Sequence, residues 1–335
     1  MKLRYYITVR LLIAIPTIIL LLTMIFFLMH ILPGDPIRIM YGEKFPTVYV
    51  EEIRHSLGLD RPIYEQYILY LSNLAHGNLG ISIVFKIPVI EKVTQVYPTT
   101  LELAITGLIF ASLMGLPLGI IAAMRRDGIF DHVTRIVTLY IHSNPGFWIA
   151  LLFQIFFGLI LGIFPISGRS PPGFELQRIT GLYILDSILT LNLTALIQSI
   201  KYLFLPCLTI AITSVPMLSR LSRASMLNVL GEDYMVTAKA KGLPDNVITY
   251  KHALRNALLP VVTSIGGTFT WLLGGTVIIE RIFSLPGLGN LLMESLMGRD
   301  FEMIQGIVAI YAVIVVLMNT LIDIIYATTD PRVKY

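Results

Sequence analysis

Residues 232–260 read EDYMVTAKAKGLPDNVITYKHALRNALLP, the longest polar interval in the second half of the chain, with an apolar run of membrane length on either side. Met235, Ala238 and Leu243 supply one apolar edge, and Lys239 and Lys241 stand beside it. Gly242 suits the left-handed residue that ends a helix. Pro244 needs no N–H in the first turn of a following helix, and the Asp245 carboxylate faces that helix's positive end. The interval therefore reads as two short helices joined at a glycine, lying across the cytoplasmic side of a membrane protein. A basic juxtamembrane loop that only fixes topology is the plainer alternative, because such loops collect Lys and Arg.

Composition supports the membrane assignment. Of 335 residues, 55% are hydrophobic and 14% charged, where a soluble domain carries about 25% charged residues. Mean hydropathy is +0.77. The formal charge of +4 is too small to point to nucleic acid. The single cysteine, Cys207, excludes an intrachain disulfide framework and reads as a small packing residue.

Six apolar runs define the expected crossings, at 11–32, 99–124, 133–163, 202–221, 257–279 and 303–327. The first is 22 residues long and reaches about 33 Å, against a hydrocarbon core of about 30 Å. The third contains Asn144-Pro145-Gly146, which should break or kink it. Between the first two runs, residues 37–97 mix charges with aromatics, and Tyr64, Tyr67, Ile68, Leu71 and Leu74 recur at helical spacing. This stretch reads as a small helical insert outside the membrane. Residues 183–196 are moderately apolar but carry Asp186 and Asn192, which favours a short external or interfacial helix over a seventh crossing.

The basic residues give the orientation. Fourteen of the 25 Lys and Arg residues fall in segments assigned to the cytoplasm, which are about half as long as the external ones. Both termini are expected inside. Two acids, Glu102 and Asp323, lie within or at the edges of crossings. Acids there are functional candidates by default, although a hydrogen-bonding role between helices is the plainer reading.

Several chemistries are missing. No phosphate-binding Gly-x-x-x-x-Gly-Lys-Ser/Thr loop occurs, so the chain should not itself bind and hydrolyse ATP. The six histidines are scattered without metal-ligand spacing. Ser167-Gly168-Arg169 lacks the setting of a nucleophile. LPGLG at 285–289 reads as a tight turn, since no lysine follows it.

The motifs TAKAKGL (237–243) and KHALRNALLP (251–260) resemble the cytoplasmic EAA loop of binding-protein-dependent ABC importer permeases, specifically those of the dipeptide/oligopeptide type. The resemblance extends along the chain through LPGDP (32–36), LGLDRP (57–62), HGNLG (76–80), PTTLEL (98–103), SNPGFW (143–148), FSLPGLG (283–289), RDF (299–301) and DPR (330–332). It implies an all-α integral membrane protein of six crossings. Residues 1–98 would form the first helix and insert, 99–328 the importer-type transmembrane domain, and 329–335 a cytoplasmic tail. It also implies a second permease subunit, two ATP-binding subunits that hold ATP and Mg²⁺, and an external solute-binding protein, with no cofactor in this chain. The coupling loop would be carried by Glu232, Asp233, Thr237, Ala238, Lys241, Gly242, Leu243 and Arg255. Val236-Thr237-Ala238 stands where the wider family has Glu-Ala-Ala, and Arg255 where it has proline. Contacts that need those residues are therefore not implied. The cargo would be a peptide, with an oligosaccharide as the alternative. An ion-coupled secondary transporter would need two similar halves and midplane ion ligands, and an intramembrane enzyme a nucleophile and base; neither set is evident.

Overall fold

The computed structural model describes residues 3–31, 46–56, 58–174, 176–242, 244 and 247–329. In chain order its helices are α1 (Leu3–Ile31), α2 (Thr47–Ser56), α3 (Ile63–Ala75), α4 (Val89–Met124), α5 (Ile129–His142), α6 (Gly146–Phe153), α7 (Tyr183–Leu189), α8 (Leu193–Leu230), α9 (Asp233–Ala240), α10 (Leu254–Gly275), α11 (Val277–Ile282), α12 (Leu288–Met297) and α13 (Phe301–Thr329). Two π-helical segments, Gln154–Ile160 and Ile248–Ala253, extend α6 and lead into α10. Among the described residues no strand forms, and one isolated bridge joins Ile81 to Pro88.

The spine is the α4–α8 pair. Gly107, Ala111, Gly115, Gly119 and Ala123 recur every fourth residue and so share one face of α4. A Cβ at Gly107 would lie 2.7 Å from Ile210 Cγ2, and one at Gly115 2.9 Å from Leu218 Cβ. At Gly119 it would collide with Ser222 Oγ and the Ser219 carbonyl. The paired positions advance together, so the two helices run parallel. Lipid offers helices no hydrophobic reason to associate, and small residues let the backbones approach until dispersion holds them. Cys207 is buried in this interface beside Thr106, at 2.8 Å. Next, α10 packs on α8 and α13, and α13 packs on α1.

Among the described residues four helices are long and apolar enough to cross a membrane: α4, α8, α10 with its π-helical lead-in, and α13. Helices α5 and α6 pass together but meet at 97°. The bend falls at the expected Asn144-Pro145 step. Pro145 cannot continue the hydrogen-bond ladder, and side chains substitute for it: Ser143 Oγ donates to Leu139 O at 2.9 Å and Asn144 Nδ2 to Tyr140 O at 2.6 Å. Helix α1 has 29 residues, with a described apolar stretch of Leu12–Leu28.

Residues 183–196 hold a short helix, as expected, and do not form one helix throughout. Helix α7 has only seven residues, about 10 Å and far short of a crossing. The chain then turns through Leu191 at φ 52° and restarts under the Asn192 cap, whose side chain accepts from Ala195 N–H at 3.0 Å. Helix α8 therefore begins well before the run at 202. The insert packs against α1. Its α3 lies along that helix, with Tyr67 OH 2.6 Å from Thr23 Oγ1 and the Tyr70 ring stacked on Phe26 at 5.4 Å. Tyr64 and Ile68, expected on the buried face, are exposed. Residues 37–45 and 57 of the expected insert lie outside the described residues.

Candidate functional site: the α9 loop and the polar clasps

Helix α9 begins at Asp233, with Met235 N–H bonded to Glu232 O at 2.9 Å. Its apolar edge is buried: Met235 is 0% and Ala238 7% exposed. Both pack against Ala123 at the end of α4, Met226 on α8, and Ile248, Ala253 and Ala257 at the start of α10. The chain's own helix ends thus bury the apolar edge that the sequence marks.

Gly242 takes φ 71°, as a helix-ending glycine should, and a Cβ there would meet nothing within 4 Å. The Pro244 carbonyl accepts from Val247 N–H at 2.9 Å and Ile248 N–H at 3.1 Å, and the next helix is described from Val247. That helix is not the separate short one expected. It continues through the π-helical Ile248–Ala253 into α10, since neither glycine nor proline interrupts residues 247–259. A π segment accommodates an extra residue without breaking a helix.

Of the expected loop residues, Glu232, Asp233, Thr237, Lys241, Gly242 and Arg255 are exposed, Ala238 is buried, and Leu243 lies outside the described residues. Exposed apolar groups join this surface that the sequence reading did not single out: Val236 at 63% and Tyr250 at 62%. Val236 faces away from the Met235–Ala238 edge, which was its only available signal. Tyr234 OH accepts from Asn256 Nδ2 at 2.9 Å, tying α9 to α10.

Buried carboxylates join distant parts of the chain, Glu102, Glu280 and Asp131 among them. Glu102 Oε2 accepts from Arg169 Nη2 at 2.5 Å and Oε1 from Ile184 N–H at 2.6 Å. The guanidinium lies 3.7 Å over the Tyr183 ring and also donates to Gly181 O. Glu102 thus has the hydrogen-bonding role between elements. Glu280, 0% exposed, accepts from Thr100 and Thr276 hydroxyls, each at 2.8 Å, and from Asn290 N–H at 3.0 Å. Thr100 Oγ1 in turn accepts from Leu288 N–H at 2.8 Å. The turn at 285–289 wraps this carboxylate so closely that a Cβ at Gly287 or Gly289 would strike it. Asp131 on α5 takes two bonds from Arg223 on α8, at 2.7 and 2.6 Å, with Arg135 at 3.6 Å. Glu280 escaped the sequence reading because it stands one residue beyond the apolar run ending at 279. Asp131 escaped it because its partner is 92 residues away. Among the described residues no cluster of His, Cys, Asp or Glu is placed to hold a metal.

Fold and site define a multi-pass helical membrane protein with a helix–turn element packed on the ends of its spine. Residues 115–335 match the binding-protein-dependent transport system inner membrane component, and residues 2–104 the N-terminal region of such membrane components. The chain belongs to this family and is a transport subunit, not an enzyme. It is 37% identical over 332 residues to the di/tripeptide transport system permease protein DppB of Pseudomonas aeruginosa, covering 98% of each chain. It is 38% identical to the dipeptide transport system permease protein DppB of Alkalihalophilus pseudofirmus, over 97% of this chain and 98% of that one. The glutathione transport system permease protein GsiC of Escherichia coli O6:H1 is 34% identical over 98% of this chain and 99% of its own. A solved inward-facing structure of the MetNI methionine ABC transporter matches 69% of this chain and 93% of its own, with a TM-score of 0.53 at 16% identity, so the two share a fold.

Proposed function

We propose that this chain is one permease subunit of an ATP-driven importer that takes up peptides through a path shared with a second permease. The observation that carries the reading is near-full-length similarity, at 34–38% identity, to relatives named for dipeptides, di/tripeptides and glutathione. Six crossings are proposed: α1, α4, α5 with α6, α8, α10 and α13. The parallel α4 and α8 favour this count, because the chain must return across the bilayer between them and the bent α5–α6 pair is the only element there able to do so. Both termini and α9 are placed inside, with the insert, α7, α11 and α12 outside. Residues 1–98, 99–328 and 329–335 remain the proposed divisions.

Two ATP-binding subunits, holding ATP and Mg²⁺, dock beneath α9, and a solute-binding protein delivers peptide from outside. The docking face is the exposed one: Glu232, Asp233, Val236, Thr237, Lys241, Gly242 and Arg255. Because Met235 and Ala238 are fixed to α4 and α8, a push on this face reaches the spine. Coupling requires that the face bind the open and closed ATPase states unequally.

The test is the ATPase rate of the reconstituted complex with and without peptide-loaded binding protein. Val236→Arg should leave assembly intact, since the side chain is exposed, and reduce the stimulation roughly ten-fold, a typical coupling energy. Gly242→Glu should act alike by forcing a Cβ into left-handed backbone, at about 1–2 kcal/mol. Full stimulation in both variants would remove α9 from coupling. Stimulation by oligosaccharide alone would reassign the cargo, and uptake driven by an ion gradient without ATP would end the importer reading.

A further inference from the structure

Both buried clasps at the outer end of α4 bind the same piece of structure. Helices α11 and α12, of six and ten residues, are too short to cross at about 1.5 Å per residue. They form a cap whose Phe283 and Leu285 are buried in the core with Leu103 and Leu205. The loop carrying Arg169 is stitched to this cap: Gly168 N–H donates to Phe283 O at 2.8 Å, and Gln154 Nε2 bridges Ile166 O and Ile282 O at 2.6 and 2.9 Å. Helix α4 then holds cap and loop at two points two residues apart, on different sides of the helix. Thr100 binds Glu280 and Leu288 N–H, while Glu102 binds Arg169 and Ile184 N–H.

The other end of α4 holds the coupling helix. Ala123 packs on Met235 and Ala238, and the 23 residue steps from Thr100 to Ala123 span about 35 Å. Sliding cannot absorb a push along this rod. The Gly119 backbone already touches Ser219 and Ser222, and Gly107 and Gly115 are closed against Ile210 and Leu218. From this geometry we propose that Glu280 and Glu102 are positioning residues that fasten the outer cap to α4, so that cap and coupling helix are the two ends of one lever. The cap would then report an arriving binding protein to the ATPase side, and ATPase closure would reorient the cap.

Apolar packing alone would hold a cap in place but would tolerate several orientations. A carboxylate saturated by two hydroxyls and a backbone N–H admits one, because any tilt leaves a buried charge with an empty bond. This is why the clasps bear on coupling and not only on stability. The inference rests on the importer reading, and the experiment separates the two.

The experiment uses the assembled importer in proteoliposomes. Glu280→Gln keeps the side-chain shape but turns an amide NH₂ or a single oxygen toward groups that now share a carboxylate. Basal ATPase should be unchanged, and stimulation by peptide-loaded binding protein should fall roughly ten-fold. A second measurement covers failure of that variant to assemble. Spin labels at Ala240→Cys on α9 and Met297→Cys on α12, both exposed positions, mark the two ends of the lever, and the native Cys207 is buried. Their separation should stay constant between the nucleotide-free and ATP-bound states. Wild type that loaded binding protein does not stimulate refutes the importer reading. A stimulated wild type with an equally stimulated Glu280→Gln, or a label separation that changes with ATP, refutes the lever.

Discussion

Gly119→Val is expected to force α4 and α8 apart and to leave the chain largely unfolded or unassembled. A Cβ at this position meets Ser222 Oγ and the Ser219 carbonyl. The hydroxyl could rotate away, but the carbonyl belongs to the α8 backbone, so relief requires moving a helix. Overpacking of a tight interface costs about 1–3 kcal/mol and sometimes more. Valine adds branched atoms where even one carbon does not fit, placing this site at the upper end. The pair is also the spine on which α9 and the outer cap depend, so local relief is not available. Gly267→Ala is the matched control. It too replaces a glycine in a membrane-length helix, but its Cβ meets nothing within 4 Å. Removing the conformational freedom of a helical glycine should stabilise it by about 0.5–1 kcal/mol. Thermal midpoints in detergent, followed through Trp148 and Trp271, decide the matter. A midpoint for Gly119→Val within error of wild type would show that the two helices do not approach as described.

The helices were legible in the sequence wherever a strong local cause produced them. Long apolar runs gave the spanning elements, and Asn144-Pro145 gave the α5–α6 bend, because proline's missing donor acts on its own neighbours. Gly242 announced the end of α9 in the same way. What could not be read was partnership. Met235 and Ala238 were identifiable as an apolar edge, but the groove that buries them is built from Ala123 and Met226. No local pattern says whether such an edge is filled by the same chain or by another. The continuous helix from Val247 into α10 was missed for a related reason. Its polar first turns look like loop, and they stay helical only because Ile248, Ala253 and Ala257 bury one face on the spine. The carboxylate clasps were hidden by distance, since Thr100 and Glu280 are 180 residues apart.

Asp131→Ala should be the most damaging change to a charged side chain at the α9 end of the helices. The Asp131 carboxylate is fully buried and ties α5 to α8 through both nitrogens it accepts from Arg223. It also accepts from Asp127 N–H at 3.1 Å, in a turn where Asp127 is held at φ 60°. Its removal leaves Arg223 without an anion, frees Arg135 and releases the strained turn. Breaking one partner of a buried pair typically costs about 3–5 kcal/mol through the charge left behind, and the 20% exposure of the Arg223 side chain, which keeps part of its hydration, places this pair at or below the lower end. The double variant Asp131→Ala/Arg223→Met tests that explanation directly, because it removes the stranded charge together with its partner. It should recover much of the loss, with a coupling energy of about 0.5–3 kcal/mol in the double-mutant cycle. If the double variant is as unstable as the sum of the two single ones, the pair does not act as a unit. The α5–α8 contact would then be held by packing and not by charge.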